Sequence, residues 1–209
     1  MRYRLVVFDI DGTIIDSVSA LDATLRFLLE DAGMPEPDPE LLREAIGMPG
    51  DRALFHLGLP TGEEAVQRML TVFLERQDLV RVFQGIPELL DALVDNGCML
   101  GIVTAQSRSE MQKLFAPFGL LDRFRYVVNS DEVEFHKPAP DQLLECQRRA
   151  GVSPEETLYV GDTEVDAACA EAANTDFALA CWGGYRLCDS EHCIGIFRSP
   201  EGLLGYCLR

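Results

Sequence analysis

The chain has 209 residues, 47% of them apolar and 25% charged, which suits one large globular domain or a domain carrying a smaller insert. Lys and Arg number 18 against 35 Asp and Glu, a net charge of −17. That field repels nucleic acid and anionic membranes and excludes them as partners. It also repels phosphorylated metabolites, so a phosphate site in this chain must be positive locally.

No apolar run reaches the roughly 18 residues of a membrane span. Met1-Arg2-Tyr3-Arg4 leads into Leu5-Val6-Val7-Phe8 like the start of a signal peptide, but Asp9 and Asp11 interrupt the apolar segment at once. A cytoplasmic location is therefore expected. The seven cysteines include no Cys-x-x-Cys and several sit in apolar stretches, as reduced, buried thiols of a cytosolic protein do. Cys188, His192 and Cys193 could hold zinc, yet their spacing matches no common zinc pattern.

Leu5 to Phe8 reads as a strand buried on both faces. A helix is predicted from Ser17, with Val18, Leu21, Leu25, Leu28, Leu29 and Ala32 at helical spacing and Gly33 at its end. Asp38-Pro39 reads as an N-cap and first helical residue of a short helix ending at Gly47. Another short helix follows from Asp51 to Leu57. Thr61-Gly-Glu-Glu64 has capping-box spacing and predicts a longer helix towards Leu79. Residues 16 to 80 thus read as all-helical.

Beyond Val82 helices and strands alternate. Ile86 to Asn96 is a predicted helix closed by Gly97, and Cys98 to Val103 a strand. Ser107-Arg-Ser-Glu110 is a second capping box, opening a helix to about Phe115. Tyr126 to Val128 is a strand, Pro140 to Ala150 a helix, and Thr157 to Val160 a strand after a turn capped by Ser153. A helix over Glu164 to Ala173 ends at Asn174, which tolerates a left-handed backbone. Phe177 to Cys181 is a further strand, and Ser199-Pro200 starts a last short helix. Strands separated by single helices imply a parallel sheet with right-handed crossovers, with one helical block spliced in after the first strand. Neither of the usual nucleotide-binding glycine loops occurs.

Ligands of a parallel sheet bind at the carboxyl ends of its strands. There the chain carries Asp9-Ile-Asp11-Gly12-Thr13, Thr104-Ala105-Gln106-Ser107-Arg108, His136-Lys137-Pro138 and Gly161-Asp162-Thr163-Glu164-Val165-Asp166. Asp9 and Asp11, two apart, point the same way on an extended chain. Asp162 and Asp166, four apart, share a face of a helical turn. Each motif alone is common: an Asp-x-Asp is usually a turn, a Gly-Asp-x-x-x-Asp usually a loop, a Lys before Pro usually solvated. Their order and shared place after apolar strands make a joint coincidence improbable. Converging carboxylates repel unless a cation intervenes, and oxygen ligands favour Mg²⁺.

FDIDGTIIDS (Phe8 to Ser17), IVTAQSR (Ile102 to Arg108), HKPAPD (His136 to Asp141) and YVGDTEVD (Tyr159 to Asp166) together resemble the haloacid dehalogenase superfamily, in its phosphoglycolate phosphatase-like branch. The resemblance covers essentially the whole chain. It implies an α/β fold: a Rossmann-like parallel sheet in a three-layer α/β/α core over residues 1–15 and 81–209, with a small helical cap over 16–80. It implies a Mg²⁺-dependent phosphatase acting on a small phosphorylated metabolite, with the cap controlling access. Asp9 matches the nucleophile, Asp11 the general acid and base, and Lys137 the cation that neutralises phosphate and Asp9. Thr104 matches the hydroxyl that holds the phosphoryl group. The amides after Asp9 and Thr104, around Gly12 and Ala105, would bind phosphate. Asp9, Asp11 (through its carbonyl), Asp162 and Asp166 match the metal ligands or their support. Arg52, in Gly47-Met-Pro-Gly-Asp-Arg52, is a candidate contact to an anionic leaving group or else a surface residue. Asn174 stands where many relatives carry Gly.

Several rivals share these features. A phospho-accepting receiver module carries its Asp on a middle strand and lacks a 60-odd-residue insert. A metal-free dehalogenase would leave Asp11, Asp162 and Asp166 without a role. A sugar-phosphate mutase often has Val where Thr13 stands, and a pyrophosphatase is compatible with every motif. The substrate, the oligomeric state and the role of Trp182-Gly-Gly-Tyr-Arg186 stay open at this level.

Overall fold

The structure is a computed structural model that describes residues 2–46, 48, 50–184 and 192–208. The chain divides into two compact units, Met1–Ile15 with Val82–Arg209, and Asp16–Arg81.

The first unit is built on strand β1 (Leu5–Phe8), all four residues buried. After the short β2 (Ile15–Asp16) and β3 (Arg81–Val82) come β4 (Met99–Val103), β5 (Tyr126–Val128), β6 (Thr157–Gly161), β7 (Asp176–Ala180) and β8 (Cys193–Phe197). The sheet order is β5-β4-β1-β6-β7-β8 and every pairing is parallel. β1 is flanked by β4 and β6, with Phe8 level with Ile102 on one side and Val160 on the other. The chain leaves β1 for β4 and β5 on one side, then crosses back to β6, so the switch of direction falls beside β1. Crevices at such switches, beyond the carboxyl ends, are where open α/β sheets hold ligands.

Alternate residues of β1 feed two cores, as strand geometry requires. Leu5 and Val7 join Tyr159, Phe177 and Leu179 under Leu143 and Cys146 of one helix and Ala167, Cys169 and Ala170 of another. Those helices are labelled α7 (Asp141–Ala150) and α8 (Glu164–Ala172). Phe8, on the opposite face, meets Phe124 edge-on with ring centroids 6.2 Å apart. The remaining helices of this unit are α5 (Ile86–Asp95), α6 (Arg108–Leu114) and α9 (Pro200–Cys207), of which α5 and α9 pack together. Helices on both faces of a parallel sheet make the Rossmann-like three-layer arrangement.

The second unit packs α1 (Val18–Asp31), α2 (Pro39–Ile46), α3 (Gly50–His56) and α4 (Glu63–Leu74) around Leu25, Leu28, Leu29, Leu42, Leu54 and Val72. Asp38 starts α2 as its sequence predicts, its carboxylate accepting the Glu40 N–H at 2.7 Å.

Three sequence expectations need correction. The helix opened by Thr61 is shorter: Gly62 at φ 97° is its N-cap, no side chain caps it, and it ends at Leu74 before a 3₁₀ turn over Gln77–Leu79. The Asp51 carboxylate accepts the Gly62 N–H at 2.7 Å, and the helix starts one residue later than the box predicts. Asp16 is not helical but lies in β2, which pairs with β3 in a two-stranded sheet where the chain passes between the units. β8 is an additional strand: Cys193-Ile-Gly-Ile-Phe197 is half exposed at the sheet edge, and its apolar run is too short and Gly-broken to announce itself. No helix among the described residues is long and apolar enough to cross a membrane.

Candidate active site

The register of the sheet brings three strand ends together. Asp9 follows β1, Thr104 follows β4, and Asp162 follows β6. Asp9, Thr104 and Asp162 are all buried. The Asp9 N–H donates to the Val160 carbonyl at 2.9 Å, so the strand ladder carries on through the first carboxylate.

Lys137 arrives from the loop before α7 with its side chain only 7% exposed. Its Nζ donates to Asp9 Oδ1 at 2.8 Å, to Asp166 Oδ1 at 2.7 Å and to the Tyr159 hydroxyl oxygen at 3.2 Å. Asp166 is fixed by the start of α8. Thr163 caps that helix in a capping box, and both its N–H (3.1 Å) and hydroxyl (2.5 Å) donate to Asp166 Oδ2. The Tyr159 hydroxyl donates to Asp166 Oδ1 at 2.8 Å. Both oxygens of Asp166 therefore accept from this chain's own donors, a geometry suited to holding Lys137 rather than to binding a ligand directly.

Two glycines make room for this crowding. Gly12 has φ +77°, and a Cβ there would collide with the Asp162 carboxylate. A Cβ on Gly161 would sit 2.5 Å from the Asp166 Cβ. Both positions let a backbone approach a carboxylate more closely than any larger residue permits.

One oxygen from each of Asp9, Asp162 and Asp166 lies within 4.8 Å of the others. Burial pushes the Asp9 carboxyl well above the ordinary carboxylate range; Lys137 opposes this, and Asp166, Asp162 and Asp11 reinforce it. Burial would lower Lys137, but Asp166 and Asp9 outweigh it and hold the ammonium charged. Burial likewise works against ionisation of Asp166, but Lys137, Thr163 and Tyr159 overcome it and keep its pKa low. Three buried carboxylates against one ammonium leave an excess of negative charge. Hard oxygen donors clustered in this way fit a divalent cation, which the Asp9 and Asp162 carboxylates could hold.

A profile of the haloacid dehalogenase-like hydrolases matches residues 6–180. The chain belongs to that family. Phosphoglycolate phosphatase 1 of Pseudomonas aeruginosa is 32% identical over 191 residues, covering 86% of this chain and 70% of the relative. The N-acetylmuramic acid 6-phosphate phosphatase of the same organism is 30% identical over 190 residues, covering 88% and 84%. A crystal structure of a Lactobacillus plantarum protein provisionally named a phosphoglycolate phosphatase superposes with a TM-score of 0.86 at 29% identity, covering 98% of this chain and 99% of that one. This hydrolase thus falls in the phosphoglycolate phosphatase-like branch, and its activity class is phosphoric monoester hydrolysis.

Within this hydrolase the first unit brings together Asp9, Lys137, Asp162 and Asp166. Asp11 follows two residues after Asp9 and is half-buried, its Oδ2 accepting from Gln106 Nε2 at 2.7 Å. The Thr104 hydroxyl accepts the Gln106 N–H at 3.1 Å, and its carbonyl accepts from Gln142 Nε2 at 2.8 Å. Ala105 is exposed at the start of the turn before α6. Arg52 lies on α3 of the helical unit and is exposed there. Gly47 and Pro49 before it, Tyr185 and Arg186 after Trp182, and Cys188 of the weighed zinc trio fall outside the described residues. Tyr159 and Gln106 carry site contacts that sequence reading assigned no role. Tyr159 had one usable signal: a hydroxyl-bearing residue between Leu158 and Val160 of a buried central strand, where the hydroxyl must find a partner.

Proposed function

We propose that this phosphatase hydrolyses a small phosphomonoester of phosphoglycolate type, with Mg²⁺, through a phosphoryl group carried on Asp9. The observation that carries the reading is the pairing of the Lys137 ammonium with Asp9 at 2.8 Å, beside Asp162, at the end of the central strand. In a chain of net charge −17 the Lys137 ammonium, joined by a divalent cation, would supply the local positive charge a phosphate requires.

Asp9 attacks phosphorus with the oxygen not held by Lys137. As the Asp9–phosphorus bond forms, the bond to the ester oxygen breaks, and Asp11 gives that oxygen a proton. Asp11, now a carboxylate, takes a proton from water as the water oxygen bonds phosphorus and Asp9 leaves. The sum is ester plus water to alcohol plus phosphate. The Thr104 hydroxyl and the amides around Gly12 and Ala105 hold the phosphoryl oxygens, and Lys137 spreads the charge of the transition state. Bound Mg²⁺ would offset the repulsion between Asp9 and a phosphate dianion and polarise the phosphoryl group; Asp9, Asp162 and the Asp11 carbonyl would hold it, with Asp166 in support. Asp166 acts through Lys137, which it orients.

The substrate within the class rests on likeness alone, and two relatives of near-equal identity carry different names. The resemblance gives substrate choice to residues 16–80 as a cap, and Arg52→Ala tests that assignment through a raised KM. The decisive experiment is a screen of small phosphomonoesters and pyrophosphate with Mg²⁺, comparing the wild type with Asp9→Asn. Phosphate release should stop in the variant, and labelled phosphate should be trapped on Asp9 of the wild type. Release at an undiminished rate from Asp9→Asn would remove Asp9 from the chemistry.

A further inference from the structure

Gln106 lies two residues past Thr104, in the turn that opens α6, and is only 8% exposed. Its backbone is pinned on both sides. The N–H donates to Thr104 Oγ1 at 3.1 Å, and the carbonyl accepts from the Ser130 N–H at 3.0 Å and from Asn129 Nδ2 at 3.4 Å. From that fixed base the side chain reaches Asp11, with Nε2 donating to Oδ2 at 2.7 Å. The other end of the amide, Oε1, is buried and makes no hydrogen bond among the described residues. An unpaired buried acceptor costs stability, and an apolar side chain of the same shape would avoid that cost. Packing alone thus gives no reason for a glutamine here; the bond to Asp11 does.

We propose that Gln106 is the positioning residue for Asp11 and sets which oxygen carries the proton to the leaving group. This inference rests on the reading of Asp11 as general acid. A carboxyl group whose Oδ2 accepts an amide N–H carries its proton on Oδ1. The same bond fixes the rotation of the carboxyl plane, so Oδ1–H keeps one direction. When the phosphorus–oxygen bond breaks, its electron pair stays on the departing oxygen, the Oδ1 proton moves to that oxygen, and Asp11 is left as a carboxylate still held at Oδ2. Without the amide the carboxyl can turn away or protonate on the wrong oxygen. Small misplacements of a proton donor are costly to the step that uses it.

The consequence is selective. An alkoxide leaves poorly and needs the proton; p-nitrophenolate leaves well without it. The test measures kcat/KM with Mg²⁺ for phosphoglycolate and for p-nitrophenyl phosphate, a parameter that covers steps only through loss of the leaving group. Gln106→Met keeps the volume and removes the donor. It should lower the alkyl-to-aryl ratio of kcat/KM by about 10- to 100-fold, a share of the 10²–10⁴ that general acid catalysis supplies. In an Asp11→Asn background the same substitution should change the ratio less than about twofold, because residues acting as one unit are not additive. Gln106→Leu, also without the donor, carries the same test should the Met variant not fold. A proportional fall for both esters, an unchanged ratio, or a full Gln106 effect surviving in Asp11→Asn would overturn the proposal. A wild type inert towards both esters would overturn the phosphoglycolate-type reading and this inference with it, a result distinct from an unchanged ratio.

Discussion

Lys137 and Asp166, 29 positions apart in sequence, form an ion pair at 2.7 Å in which the lysine side chain is 7% exposed and the aspartate 1%. Asp166 is itself held by Thr163 and Tyr159, so the pair is a rigid arm that aims the ammonium at Asp9. Removing the ammonium leaves three buried carboxylates facing one another. Lys137→Met should therefore cost about 3–5 kcal/mol of stability without metal, the usual cost of breaking a buried pair. Urea unfolding in EDTA measures it, and Asp166→Asn should lose less, because one hydrogen bond to Lys137 can survive.

Gly161 gives a sharper test of the same arm. Its backbone angles are open to any residue, so only the close approach to Asp166 demands glycine. Gly161→Ala should push Asp166 off its Thr163 cap and carry Lys137 with it. The expected cost is about 1–3 kcal/mol for overpacking, with kcat falling at least about tenfold as the ammonium loses its aim. A folded variant with wild-type kcat would show that Asp166 is not the support of Lys137.

Metal binding should be visible without any turnover. The proposed Mg²⁺ site at Asp9 and Asp162 predicts that Mg²⁺ stabilises the fold by about 2.7 kcal/mol at a hundred times its dissociation constant, seen as a raised thermal midpoint. EDTA should reverse the rise. Asp162→Asn should abolish the Mg²⁺-dependent increment while leaving a folded protein, whereas Asp141→Asn, at the half-buried start of α7, should keep it.

Much of this site was legible in the sequence because strand ends are cheap to recognise. An uninterrupted Leu5–Phe8 run fixes the strand, and whatever follows it must sit at the sheet's carboxyl edge. The same logic placed Thr104 after Val103 and Asp162 after Gly161. The capping boxes at Ser107 and the left-handed Asn174 at φ 51° were readable because local chemistry dictates them. What stayed hidden depended on partners distant in sequence. Gln106 meets Asp11 across 95 positions, and nothing local distinguishes it from a surface glutamine. The Asp51 carboxylate likewise accepts the Gly62 N–H from outside the Thr61 motif, a contact that motif does not announce. β8 has half-exposed residues and a central Gly195, so neither period nor propensity marks it.

A salt-bridge cluster away from the site gives a pH signature of known sign. Hydrogen bonds from Arg148 and Arg149 pull Glu145 down from its ordinary 4.5 to about 2. The depressed carboxyl contributes stability fully above 4.5, and that contribution is lost as pH falls from 4.5 through about 2. The cluster is largely solvated, with the Arg148 side chain 71% exposed, so each pair is worth only about 0.2–1 kcal/mol. Glu145→Gln should lower the urea midpoint at pH 7. The difference from wild type should shrink on acidification through that window and in high salt. A difference that grew towards acid would reverse the assigned sign.

Trp182 is the sole tryptophan of the chain, and its indole N–H donates to the Thr13 carbonyl at 2.8 Å. Thr13 follows Gly12, whose backbone presses on Asp162, so the indole braces the loop whose amides are proposed to bind phosphate. Trp182→Phe keeps an aromatic ring but removes the donor, and should cost about 1 kcal/mol with a rise in KM larger than any fall in kcat. In the wild type the single fluorophore reports on that loop directly. Adding Mg²⁺ and then orthophosphate should change its emission intensity in a saturable way, with the same midpoint as inhibition by orthophosphate. Asp9→Asn, still folded but with its first carboxylate neutralised, should shift the Mg²⁺ midpoint upward. Emission indifferent to both additions at saturation would mean the brace is static and does not sense occupancy of the site.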